Sequence, residues 1–416
     1  MRIPRTFKRW LGLLSVAAAT AMLVTACGGG DDNGGSSGNN GGSNVSDGNT
    51  ANTAVITVGT GVAHVINIPT VNVKICVPGT TNCQVVNNVL VDTASYGLRL
   101  VSSALSSGVL NNLPQTTSGG APVAECGKFV SSFTWGSVRT VDLSIGTEQA
   151  GSLPVQIIGD LGTSNVPSSC SNNGARTSAN TAGDLGANGI LGIGPAPVDC
   201  GTSCATSTSA TSNNYYACPN GNSSCAVALV PVAQQVANPV HRFATDNNGV
   251  IVQMPNISSS GQGSATGLLT FGINTQSNNA LGASTVLTST TTGDVDATFL
   301  GGNVTAFFDT GSNAYFFNDS MQKACSTNTQ FYCPSSTTTY TATLTGKNGV
   351  SGGVSMPVAN ADVLFANSST FAFNDIAGPF GAAGWLDLGM PHFYGKTIYF
   401  GMDRTGSGGA QPYVAF

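Results

Sequence analysis

Val89-Leu90-Val91-Asp92-Thr93-Ala94-Ser95 is answered 217 residues later by Ala306-Phe307-Phe308-Asp309-Thr310-Gly311-Ser312. In each copy an apolar run delivers an aspartate to a tight turn of small hydroxyl residues. Apolar residues then resume, at Leu98 and Leu100 in the first copy and at Tyr315, Phe316 and Phe317 in the second. One Asp-Thr-small-Ser tetrapeptide says little in a chain this rich in Ser, Thr and Gly, because these residues make good turns anyway. Two of them, each after an apolar run and in opposite halves of the chain, point to a paired site. The chemistry that suits such a pair is a carboxylate dyad. Two Asp side chains within ~3 Å cannot both ionise, so they share a proton and their apparent pKa values split. The ionised member can act as base on a water while the protonated one polarises a carbonyl. Thr93, Ser95, Thr310 and Ser312 are suited to bracing the two turns, and Gly311 lets backbone approach closely.

Outward from these turns, the pattern is that of an all-β protein. Short β-prone runs at 71–76, 85–91, 129–135, 138–145, 153–158, 249–254, 267–273, 304–308, 314–317 and 397–400 are separated by Gly, Asn, Ser and Pro. The best helical stretch, 232–244, contains Pro239. Of 416 residues 41% are hydrophobic and only 8% charged, so Ser, Thr, Asn and Gly must dominate the surface, as is common in exported β proteins. The net charge of −5 excludes a general affinity for nucleic acid. Three histidines argue against a Cys/His zinc module, and the apolar content excludes disorder throughout.

The first residues predict export. Arg2, Arg5, Lys8 and Arg9 precede an apolar stretch at 10–26, which ends in Val24-Thr25-Ala26-Cys27 and resembles a bacterial lipobox with Cys27 as the lipidated residue. Its 17 residues fall short of the ~20 a spanning helix needs, and a small-residue cleavage site marks 1–26 as a signal peptide. Without it, ten basic residues face nineteen acidic ones, and the net charge becomes −9. Only Glu125 and Glu148 are glutamates, so carboxylate chemistry falls to Asp. Ten cysteines remain after Cys27, an even number that suggests disulfides in an exported chain. Cys76 with Cys83 and Cys325 with Cys333 read as local staples, and Cys126 reaches for Cys170. The pairing of Cys200, Cys204, Cys218 and Cys225 stays open. Residues 27–52, almost wholly Gly, Asn, Ser and Asp, read as a flexible tether.

The sequence resembles the pepsin-like aspartic peptidases. Beyond the two tetrapeptides, Gly189-Ile190-Leu191-Gly192-Ile193-Gly194 is similar to the segment that crosses behind the first catalytic turn in that family. Residues 231–240, followed by Gly267-Leu268-Leu269-Thr270-Phe271-Gly272, resemble its inter-lobe region. Trp385-Leu386-Asp387-Leu388-Gly389-Met390-Pro391-His392-Phe393-Tyr394 opens a stretch to Phe400 that is similar to the family's C-terminal segment. The resemblance implies a two-lobed double β-barrel with a cleft between lobes, divided into an N-terminal lobe at 53–228, a connection at 229–266 and a C-terminal lobe at 267–416. It further implies Asp92 and Asp309 activating a water for peptide-bond hydrolysis, without metal or cofactor. A peptide or protein would lie in the cleft of a monomer. The membrane would be met only through the lipidated N-terminus, at the cell envelope of a bacterium, on an outer membrane facing periplasm or exterior. The chain is also similar to a bacterial family of uncharacterised secreted proteins with such paired motifs.

Four departures from the peptidase pattern bear on activity. Ala94 replaces a glycine, where a methyl group should crowd the substrate or the opposite turn. The flap hairpin reads as short, with Trp135 in Phe133-Thr134-Trp135-Gly136 standing in for the family's tyrosine. Arg99 occupies the place of a flap-supporting tryptophan. Asp387 takes an apolar position; it either faces solvent at a turn or points inward as a third carboxylate that raises the pKa values of the dyad. These departures support an alternative, an inactive protein of the same fold that binds peptide, glycan or a partner protein. A two-Asp glycosidase explains the carboxylates but not the repeated tetrapeptide. His64, His241 and His392 are isolated, with His392 read as a structural hydrogen bonder, and Tyr215-Tyr216 as loop aromatics packed on disulfides.

Overall fold

The computed structural model describes residues 48–416. The expected signal peptide, lipidated Cys27 and tether residues before 48 lie outside the described residues. Six strands close a barrel in the first half. Thr70–Cys76, Cys83–Asp92, Gly189–Ile193, Tyr96–Val101, Glu148–Ile158 and Ser132–Ile145 follow one another around it, and the last pairs back with the first. Their alternation puts Val71, Val73, Ile75, Val89, Val91, Leu98, Leu100, Val141, Leu143 and Val155 into one buried cluster. The second half does not close. Its seven strands run in the order Ser351–Val358, Thr338–Thr345, Val295–Phe299, Gly302–Asp309, Trp385–Gly389, Tyr315–Phe317 and Ala377–Gly378. The two lobes are therefore a closed barrel and a half-barrel rather than two closed barrels.

Between them lies an antiparallel sheet built from both ends of the described chain, in the order Thr53–Val58, Ala265–Phe271, Gly249–Gln253, Thr397–Gly401, Tyr413–Ala415 and Val286–Thr288. The helical stretch expected at 232–244 is instead two single 3-10 turns, Val232–Gln234 and Pro239–Arg242. Pro239 explains the break, since it sits at the start of the second turn and cannot donate into a helix running through it. Five disulfides form among the ten cysteines: Cys76–Cys83, Cys126–Cys170 and Cys325–Cys333 as expected, and Cys200–Cys204 with Cys218–Cys225 for the quartet.

The topology treats the two aspartate strands alike. Cys83–Asp92 runs parallel to Gly189–Ile193, which is itself antiparallel to Tyr96–Val101, with Gly192 beside Asp92. Gly302–Asp309 runs parallel to Trp385–Gly389, itself antiparallel to Tyr315–Phe317, with Gly389 beside Asp309. Each turn is thus held from behind by a strand threaded between its two arms. That strand carries glycine beside each aspartate because there is no room for more: a Cβ on Gly389 would lie 2.0 Å from the Ala314 carbonyl oxygen, and one on Gly192 2.7 Å from the Tyr96 nitrogen.

Candidate active site

Strand alternation decides what enters the cleft. Val89 and Val91, like Ala306 and Phe308, face the core, so Leu90 and Asp92, like Phe307 and Asp309, face the other way. The two turns then grip each other through their threonines. Thr93 Oγ1 donates to the Phe308 carbonyl at 2.8 Å and accepts from the Thr310 N–H at 3.0 Å. Thr310 Oγ1 donates to the Val91 carbonyl at 2.6 Å and accepts from the Thr93 N–H at 3.2 Å. Both threonines are buried. The four reciprocal bonds bring Asp92 and Asp309 into side-chain hydrogen-bond contact. Gly311 is needed at this junction, since a Cβ there would sit 2.9 Å from Asp92 Cγ and 3.0 Å from Asp309 Oδ1.

The two carboxyls are not equivalent. Asp92 accepts from the Ala94 and Ser95 N–H groups at 2.9 and 3.1 Å and from Ser95 Oγ at 2.6 Å. Asp309 accepts only from the Gly311 N–H at 2.7 Å and from Ser312 Oγ at 2.8 Å. Burial, and then the charge of Asp92, push Asp309 up to about 8, against the pull of those two donors. Asp309, with one donor fewer and its carboxyl pushed up, is the member that holds the proton. Ala94 keeps the backbone bond that its counterpart Gly311 makes, so its methyl group leaves the turn intact.

Asp387 does not face solvent at a turn. It is buried, and its Oδ2 lies 2.6 Å from Ser312 Oγ, the hydroxyl that also bonds Asp309. The register explains this. Asp387 is two residues before Gly389 and therefore on the face of Trp385–Gly389 that carries the pair of Phe307 and Asp309. Burial, then the charges of Asp309 and Asp92, push it well above the ordinary carboxylate range. His392 also departs from expectation. Neither ring nitrogen has a partner among the described residues, and the ring packs edge-on against Phe308 at 5.4 Å; burial holds it neutral. His241 hydrogen-bonds the Pro195 carbonyl, and His64 stacks loosely near Phe371, neither of them in the dyad's bonds.

The flap hairpin is neither short nor tipped by Trp135. Ala121–Lys128 pairs with Ser132–Ile145 up to Lys128 and Phe133, so the tip is 129–131 and Phe133-Thr134-Trp135-Gly136 lies within the second strand. Trp135 is fully buried, donates Nε1–H to Asn222 and packs edge-on to Tyr216 beside Cys126, Cys170 and Cys218. The aromatic at the tip is Phe129, which packs against Ile68, Leu90, Ala187 and Ile190. Leu90 shares its face with Asp92, so this tip packs on the same side of the strand as the dyad. Arg99 still supports the hairpin, by charge. Its guanidinium lies 5.8 Å from the Phe129 ring centroid and pairs with Glu125 of the first flap strand at 2.5 Å, and with Asp199 at 3.6 Å. Tyr215 donates to Asp199 and pairs with Glu125 in the sheet register, while Tyr216 packs on the disulfides as expected.

Both edges of this hairpin are stitched down. Tyr215–Ala217 adds a strand to one edge and Thr177–Ser178 to the other, Cys126–Cys170 ties it covalently, and Arg176 Nε donates to the Phe129 carbonyl at 2.8 Å. Phe129, Glu125 and Asp199 were not singled out by sequence reasoning for the site. The scarcity of glutamate was the available signal for Glu125; nothing marked the other two. Among the described residues, the group spaced for a metal is Cys325, Cys333 and Asp362, but its thiols are consumed in a disulfide.

The chain belongs to the family described as "Protein of unknown function (DUF3443)", which matches residues 48–416. No curated protein matches it. A solved structure to which it is similar is the crystal structure of an aspartic proteinase from Irpex lacteus, at 13% sequence identity and a TM-score of 0.48, covering 87% of this chain and 97% of that one.

Proposed function

We propose that this member of the family is an aspartic-type endopeptidase, exported and lipid-anchored through Cys27, with Asp92 and Asp309 as its acid–base pair. The observation that carries the reading is the reciprocal Thr93–Thr310 grip, which ties the turns of Asp92 and Asp309 from opposite lobes to each other. In this reaction Asp92 takes a proton from a water as it adds to the scissile carbonyl carbon, while the Asp309 proton passes to the carbonyl oxygen. The resulting gem-diol collapses with cleavage of the C–N bond. The leaving amine takes the proton from Asp92, and a diol hydroxyl returns one to Asp309. Because Asp309 holds its proton up to about 8, the pair stays singly protonated at neutral pH, and cleavage is expected to extend there rather than being confined to acid.

One observation favours a second reading, a cleft that binds peptide, glycan or partner protein without chemistry: the flap is pinned along both edges and has little freedom to close over a substrate. The test is cleavage of an unfolded protein from pH 3 to 9 by the wild type and Asp309→Asn. Cleavage lost in the variant supports the peptidase. A folded wild type that cleaves at no pH leaves the binding reading, and cleavage unchanged by the substitution removes the dyad.

A further inference from the structure

Ser312 Oγ sits 2.8 Å from Asp309 Oδ2 and 2.6 Å from Asp387 Oδ2, both hydrogen-bond distances. A hydroxyl has one hydrogen to donate. It satisfies one of these contacts as donor, so the other must be filled by a proton carried on a carboxyl. Hydrogen counting alone thus places an acid proton on Asp309 or Asp387. The environment of Asp387 decides between them. Its Oδ1 is buried and has no hydrogen-bond partner among the described residues. For an ionised carboxylate that would leave a charged oxygen unsolvated, whereas for a carboxylic acid it is the weaker cost of a carbonyl without a donor. No positive charge among the described residues acts on Asp387: Asp92 of the other lobe raises it, and Asp309 on the paired strand Gly302–Asp309 raises it further whenever it ionises. Ser312 is its neutral partner, and the register neighbours on the adjoining strands are Phe307 and Phe316.

We propose that Asp387 is a protonated third carboxyl that donates to Ser312, which in turn donates to Asp309, making the site a three-carboxyl proton chain. The device belongs to one lobe only. Ser95 bonds Asp92 as Ser312 bonds Asp309, but the residue two places before Gly192, where Asp387 stands before Gly389, is the apolar Ile190. Asp387 is therefore a positioning residue. It fixes the direction of the Ser312 hydrogen toward Asp309, and if it ionised, that hydrogen would turn to Asp387 and Asp309 would lose a donor. Burial, ahead of the two neighbouring charges, pushes the Asp387 carboxyl up and agrees with this assignment. The stored proton stands independently of any activity; its effect on turnover rests on the peptidase reading above.

Infrared difference spectra at pH 7 between wild type and Asp387→Asn test the proton directly. The expected result is loss of one protonated-carboxyl band in the variant, with that band shifted in Ser312→Ala, where Asp387 has lost its partner. A wild type in which the substitution removes a carboxylate band instead overturns the chain. Asn keeps an N–H donor to Ser312, so Asp387→Asn is expected to fold and, where the wild type cleaves, to keep its pH profile. Asp387→Leu, with no donor, is expected to shift the alkaline limb upward by about one unit. Equal shifts in Asn and Leu would overturn the donor role. A wild type without cleavage ends the peptidase reading and leaves the infrared result to decide the chain.

Discussion

Replacing Thr310 with valine preserves shape and removes one oxygen. That oxygen serves two buried backbone groups at once, accepting from the Thr93 N–H at 3.2 Å and donating to the Val91 carbonyl at 2.6 Å. The Val91 strand end and the Thr93 turn are closed to solvent, so water cannot replace the lost partner without opening the lobes. Each buried group left unsatisfied costs about 1–3 kcal/mol, so the substitution is expected to destabilise by about 2–6 kcal/mol. For a chain whose stability is on the order of 5–15 kcal/mol, that is a large fraction. Thr93→Val removes the matching pair, the Phe308 carbonyl and the Thr310 N–H, and should cost a similar amount. Denaturant unfolding with the disulfides intact measures both. The double variant is informative: if one loss already lets the turns part, it will cost less than the sum of the singles. A Thr310→Val protein within about 0.5 kcal/mol of wild type would refute the claim that the grip is dry and stabilising, and with it the argument that backbone bonds hold the dyad together.

Trp135→Phe is expected to cost about 1–2 kcal/mol through the lost Asn222 bond and reduced packing near Tyr216. Cleavage or ligand affinity per folded molecule should be unchanged; a selective loss of activity would restore a flap role. Ala94→Gly removes the methyl beside the dyad, and in a cleaving protein is expected to raise kcat/KM about tenfold, near 1.4 kcal/mol of barrier; a loss would show that the methyl is needed. Asp309 is raised in the folded state, so the native protein holds a proton that the unfolded chain releases, and stability should fall as pH rises from about 4 to about 8. Asp309→Asn is expected to flatten that slope in a plot of unfolding free energy against pH.

The paired turns were legible because they are local and repeated: an apolar run, Asp, a small hydroxyl turn. The Ile190-Leu191-Gly192 and Leu388-Gly389 segments were legible for a similar reason, since a strand threaded behind a turn needs glycine where it passes the aspartate. What failed was whatever depended on register or on distant partners. Trp135 looked like a flap tip because Gly136 follows it and suggests a turn. In the structure Gly136 is inside a strand, where a Cβ would lie 1.8 Å from the Ile157 carbonyl oxygen. The glycine marks close packing, not a bend. Asp387 stayed open between a solvent-facing turn and a third carboxylate toward the dyad; only its register beside Phe307 shows that it lies on the face of Asp309. The clamp around Arg99 joins residues 99, 125, 199 and 215 from four separate segments, and no periodicity in the sequence links them.

Asn67 shows how far the lobes are fixed relative to each other. It follows the first strand on the N-terminal side, is wholly buried and takes a left-handed φ of 53° that asparagine tolerates. Its side chain donates to the carbonyls of Asn313 and Phe373 at 2.8 Å each and accepts from the Phe373 N–H and the Tyr394 hydroxyl at 2.9 Å each. Asn313 directly follows Ser312, and two residues beyond Asn67 the Pro69 carbonyl accepts from the Val91 N–H at 2.9 Å. One short segment thus reaches the backbone of both aspartate turns. Together with the threonine grip below and the stitched hairpin above, it leaves few soft hinges between the lobes. A cleft held this way loses little freedom when it binds, so affinity is spent on fit rather than on closure. The same rigidity keeps the Asp92–Asp309 geometry set before any ligand arrives, which is what electrostatic catalysis needs and what induced closure would otherwise have to supply. The pinned flap that favours the binding reading is thus also compatible with a dyad set in advance.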